Sequence, residues 1–251
     1  MADPENTLDA QVRAADIDRW LSSRFVADVG LRADLIALYA FEAELMAIPT
    51  RVTQPLLAEM RYVWWREQMD GVFEGTARRG HPVLEALTDV VARHGLDRAP
   101  FDALIEAHVG RVHGEPHDLG AFYVGPMQAA VRVLAGPGFE AAVVGAGRVR
   151  GLAQTGQAEA AKALKPSANG GLAGLPVQGF PAVAAATLTR PDTPEFVKRP
   201  LGHEPPLRDD AHLRAEPLDD LEHVRSQEDR DPAVRHELLQ EFADLPGGDG
   251  V

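Results

Sequence analysis

Residues 31–48, "LRADLIALYAFEAELMAI", wind into a helix whose faces are apolar nearly all round, interrupted within its second half by Glu42 and Glu44. Such a helix is stable only when other elements enclose it, so it belongs at the centre of a fold. Pro49 follows, and its missing N–H and its ring disfavour further helix, which predicts a stop at residue 48.

The rest of the chain offers helices to do the enclosing. Apolar residues make up 45% of the 251 residues but aromatic ones only 6%, with abundant alanine, a balance that favours helix over strand. Residues 7–22 place Leu8, Val12, Ile17, Trp20 and Leu21 on roughly one side of one helix. A helix from Gln54-Pro55 to Gly75 carries Leu56, Met60, Val63, Trp64, Val72 and Phe73. Pro82 opens another with Leu84, Leu87 and Val91 at spacings of three and four. Pro100 opens a further one with Phe101, Leu104, Ile105, His108 and Val112 on one stripe. Helical patterns follow over 118–135, 138–164 and 180–188, with "KPSANGGLAGLP" (165–176) read as a loop. No stretch alternates long enough to be a strand, so the fold class is all-α, one helical domain over residues 1–188.

Residues 189–251 differ. They hold eight prolines and sixteen acidic against eight basic residues, too charged to bury much apolar surface, and read as a largely disordered or loosely packed tail with one short amphipathic helix over 231–243. The formal net charge of −13 argues against a nucleic-acid partner. The absence of cysteine excludes disulfides and thiolate chemistry. The N-terminus lacks a signal-peptide plan and no run is apolar enough to span a bilayer, so a soluble, cytoplasmic protein is expected, with peripheral contact at the inner membrane face left open.

Three motifs invite chemistry. "AAVVGAGRVRG" (141–151) has the glycines of a dinucleotide turn, but it sits inside a helical pattern, where Gly145, Gly147 and Gly151 are better read as close helix packing. His108, His113 and His117 cluster in sequence, but Gly114 and Pro116 break the helix that a zinc pair would need, so surface loop histidines are expected and no metal. "RYVWWREQMD" (61–70) puts Arg61 and Trp65 four apart on one face, where they either stack or simply flank a packed indole.

"LIALYAFEAELMAIPTRV", "LLAEMRYVWWREQMDGVFEG" and "HPVLEAL", in that order, then "GAGRVRGLAQTGQAEAAKA" and "GLAGLP", resemble the squalene/phytoene synthase family over roughly residues 15–188. That resemblance implies a helical bundle of the isoprenoid-synthase kind around a central cavity. Enzymes of the family join two prenyl diphosphates head to head, with Mg²⁺ held between two aspartate-rich helices. Where the first of those motifs would carry its aspartates this chain has Met46, Ala47 and Thr50, with Arg51 next and Ala43 in place of an earlier arginine. The second falls on Ala158 and Lys162, with Gln154 where asparagine is usual. Glu42 and Glu44 lie about 200° apart around a helix and cannot share one ion; a buried glutamate would instead pair with Arg61 or Arg66.

"YAFEAEL" resembles the non-catalytic branch related to the mitochondrial complex I assembly factor more than it resembles the enzymes. The resemblance thus implies a pseudoenzyme with no catalytic residues and no cofactor, partnering a respiratory-complex subunit or a lipid-like ligand. Tyr39, Glu44, Arg61, Trp65 and Gln154 are the residues expected to line or brace its cavity. The alternative is an active trans-isoprenyl diphosphate synthase using Mg²⁺.

Overall fold

The computed structural model describes residues 7–187, all within one compact unit spanning Met1–His203; a second unit, Glu204–Val251, and with it the expected tail and its 231–243 helix, lie outside the described residues. Among the described residues there are ten α-helices and no strand, as an all-α reading requires. They are α1 (Leu8–Ala15), α2 (Ile17–Ser23), α3 (Val29–Arg51), α4 (Pro55–Glu74), α5 (Pro82–His94), α6 (Ala99–Val112), α7 (Gly125–Ala135), α8 (Val144–Gln154), α9 (Ala158–Gly171) and α10 (Phe180–Thr187). A π-helical turn, Gly120–Val124, leads into α7.

Local chemistry sets most of these boundaries. Asp16 and Asp28 cap α2 and α3 by accepting from the backbone N–H of Arg19 and Leu31, each at 2.9 Å. His81 does the same for α5 through Leu84 N–H at 3.4 Å, with Pro82 behind it. Gly75 ends α4 and Gly95 ends α5 in the left-handed conformation, φ +75° and +56°.

Tertiary context overrides the sequence pattern in four places. The helix expected over 7–22 is two helices, because the Asp16 side chain caps a new start and turns the chain. Pro49 does not end α3, which runs on to Arg51. Its ring removes the N–H that would reach the carbonyl of Leu45, and that oxygen instead accepts from the Tyr62 hydroxyl at 3.1 Å. The long helix expected over 138–164 breaks after Gln154, with Gly156 at φ +77°. The expected loop 165–176 is mostly helix: α9 continues through Pro166 to Gly171. It is held there because α8 lies against it closely enough that a Cβ on Gly145 would stand 2.8 Å from Ala168 Cα.

Helix α3 is the axis of the bundle. α1, α2, α4, α5 and α7 all pack on it, and Leu35, Phe41, Leu45, Tyr62, Met69, Leu84, Leu87 and Ile105 are fully buried around it. The face of α4 turned to the core is Ala58, Tyr62, Trp65, Met69 and Val72, not the Leu56–Met60 row expected; those two side chains are 68% and 60% exposed.

Candidate functional site

The polar part of the interior is built where α2, α3 and α8 meet. Arg19 Nη1 donates to Glu42 Oε2 at 2.5 Å and its Nε lies 3.7 Å from Asp16 Oδ2. The guanidinium also sits 4.8 Å above the ring of Tyr39. From α8, Arg150 Nη2 donates to the same Asp16 oxygen at 2.8 Å, while its buried Nε has no hydrogen-bond partner in the protein. Two guanidiniums and two carboxylates therefore share one buried cluster, and their formal charges cancel.

Burial alone would lower the pKa of Arg19, but Glu42, Asp16 and Tyr39 outweigh it and hold that pKa above its usual value. Burial dominates at Tyr39, whose hydroxyl is pushed up to about 12 against the pull of Arg19. Arg150 is lowered by burial and by Arg19, although a guanidinium keeps its charge in such a setting.

The residues expected to line a cavity do not meet at one. Tyr39 is buried against Arg19. Glu44 accepts from Gln11 Nε2 at 2.5 Å and pairs with Arg51 at 3.5 Å. Arg61 is exposed, and Trp65 packs edge-on against Phe41 and His81, so plain packing describes that pair rather than a stack. Gln154 is half-buried at the end of α8. The partner of Glu42 is Arg19, not Arg61 or Arg66. The latter pairs at 3.7 Å with Glu106 on the outside. Sequence reasoning missed Arg19 and Arg150, one on a helix judged only by its apolar face, the other inside a glycine-rich run.

Between α3, α6 and α7, Leu38, Phe41, Glu42, Phe101, Leu104 and Ala129 border a space of about 20 Å³, room for a single water. A wider groove of about 600 Å³ lies open beside α3 and α5. Several charges along it are paired: Asp9 with Arg24 at 2.5 Å, and Asp34 with Arg93 at 2.5 Å and with His94 at 2.8 Å.

Of the three histidines expected on surface loops, His113 and His117 lie on the loop after α6, His113 exposed and 3.5 Å from Glu59, His117 half-buried. His108 is buried and stacked on Tyr62, with its Nδ1 3.3 Å from the Tyr62 oxygen. Because the Leu45 carbonyl can only accept, the phenol hydrogen goes there and the imidazole must carry its proton on Nδ1. Burial drives the pKa of His108 down to about 3, so the ring is neutral. His117 stacks on Phe122 at 4.1 Å with both ring nitrogens unpartnered, and burial holds it at about 4.

The glycines of 141–151 pack helices, as expected. A Cβ on Gly147 would meet Val124 Cα at 2.9 Å, and one on Gly151 would meet the Tyr123 ring at 2.6 Å.

Mg²⁺, implied for enzymes with these motifs, requires hard oxygens converging on one point. Met46 and Thr50 are exposed at the end of α3, and Ala158 and Lys162 are exposed on α9. The one oxygen among these side chains, Thr50 Oγ1, donates to Ala47 O at 2.7 Å. Glu42 and Glu44 lead into separate pairs. These residues do not fit the ion, and no chemical step is derived through it.

The described residues form an all-α bundle wound around one apolar helix. Residues 12–121 match the squalene/phytoene synthase family model, a span of less than half the chain, and over it the chain is squalene/phytoene synthase-like. No curated protein and no solved structure gives a match. No helix among the described residues is long and apolar enough to cross a membrane.

Proposed function

We propose that the chain is a non-catalytic squalene/phytoene synthase-like protein that acts as an assembly or scaffolding factor, with a respiratory-complex subunit as its partner by resemblance. The reading is carried by Arg19, held between Glu42 and Asp16. Ionising a prenyl diphosphate needs cations and metal-bound carboxylates in excess of what the protein itself consumes. Here the interior charges cancel one another. Space of about 20 Å³ beside Glu42 supports the same conclusion, since a prenyl chain does not enter it.

The test is direct. Purified full-length chain is incubated with farnesyl or geranylgeranyl diphosphate and Mg²⁺, and released pyrophosphate is measured. No release above a protein-free control is expected; turnover abolished by chelator would establish the alternative, an active prenyl synthase. The assembly role is tested separately by deleting the gene in its source organism. Loss of assembled complex I on native gels, restored by the wild-type chain, is the expected result.

A further inference from the structure

The outer face of α4 is built for something other than water. Leu56, Leu57 and Met60 are 68%, 45% and 60% exposed. They fall within about 100° of helix circumference, directly opposite the buried arc of Ala58, Tyr62 and Trp65. Met46, 41% exposed near the end of α3, adds a fourth apolar side chain at the corner where the two helices join.

The charges at this corner are unevenly presented. Arg51, the last residue of α3, and Arg61, next to Met60 on α4, are both exposed. Arg51 pairs only at 3.5 Å with Glu44, whose carboxylate is already held by Gln11. The neighbouring acid, Glu59, turns toward His113 at 3.5 Å. Farther along, the exposed charges of α4 are Arg66, paired at 3.7 Å with Glu106, Asp70, paired at 2.6 Å with Arg98, and the acids Glu67 and Glu74. The start of the helix is thus apolar and cationic, while its far end carries two acids, Glu67 and Glu74, beside those pairs, and the chain as a whole stands at −13.

From this polarity we infer that the α3–α4 corner is a peripheral membrane-docking surface that takes an anionic lipid bilayer. Leu56, Leu57 and Met60 enter the boundary between headgroups and acyl chains, and Arg51 and Arg61 reach lipid phosphates on either side. Glu67 and Glu74 on the far end of α4 are repelled from the same surface, which favours approach by the start of the helix.

The experiment is flotation of the full-length chain with vesicles of phosphatidylcholine alone and of phosphatidylcholine mixed with phosphatidylglycerol. Binding is expected to the anionic vesicles and to weaken as salt is raised. Leu56→Glu with Met60→Glu should reduce it more than about tenfold. Arg51→Gln and Arg61→Gln should each reduce it roughly fivefold without touching any buried group. Light scattering on the same samples identifies a rival occupant. Absence of binding to either vesicle, binding indifferent to the Glu substitutions, or a dimer that those substitutions convert to monomer would each overturn the inference.

Discussion

Tyr62 donates its phenolic hydrogen to the backbone oxygen of Leu45 across 3.1 Å, the oxygen that Pro49 leaves without its helical partner. A side chain from α4 thereby completes the hydrogen-bonding of α3 and lets that helix run through a proline. His108 stacks on the same ring and donates to its oxygen.

Tyr62→Phe should therefore cost about 1–3 kcal/mol, since a buried carbonyl and an imidazole N–H lose their partner together. Pro49→Ala restores a backbone N–H four residues after Leu45, so it should recover part of that loss. Urea denaturation of the two single variants and the double variant checks this. Additive effects would show that the two groups do not share one acceptor.

The buried pair of Arg19 and Glu42 makes an asymmetric prediction. Removing one partner, as in Arg19→Met, leaves a carboxylate stranded and should cost about 3–5 kcal/mol. Replacing both, Arg19→Met with Glu42→Leu, should recover most of the stability. Chemical denaturation midpoints decide between this and a pair of independent surface charges.

His108 sets a pH dependence. Its folded pKa, about 3, lies below the ordinary value of 6.5. The unfolded chain thus binds the proton more readily, and stability falls as pH drops below about 6.5, continuing toward the folded value. The slope from this one ring approaches about 1.4 kcal/mol per pH unit. Denaturation at pH 7.5 and pH 5 should show the loss, and His108→Gln should remove its share of it, leaving the part that His117, also lowered to about 4 by burial, contributes.

Two glycines of the α8–α9 pair should respond in opposite directions. A Cβ on Gly145 would stand 2.8 Å from the Ala168 backbone, whereas Gly170 faces open space. Gly145→Ala should cost about 1–3 kcal/mol by forcing the helices apart. Gly170→Ala should gain about 0.4–1 kcal/mol by restricting the unfolded chain. Thermal melts followed by circular dichroism measure both.

The sequence by itself determined that the chain is all-α over residues 7–187, where several helices start, and that α3 is enclosed. Those signals are local: Pro55 and Pro82 in first turns, Gly75 at an end. Whether Pro49 stops a helix, which face of α4 is inward, and which cation holds Glu42 were decided only by tertiary structure. Each depends on a group distant along the chain: Tyr62 is 17 residues from Leu45, Arg19 is 23 from Glu42, and Arg150 is 134 from Asp16. Periodicity records that a face is apolar. It does not record which neighbour arrives to satisfy a stranded carbonyl or neutralise a buried charge, and those long-range pairings fix the polar interior.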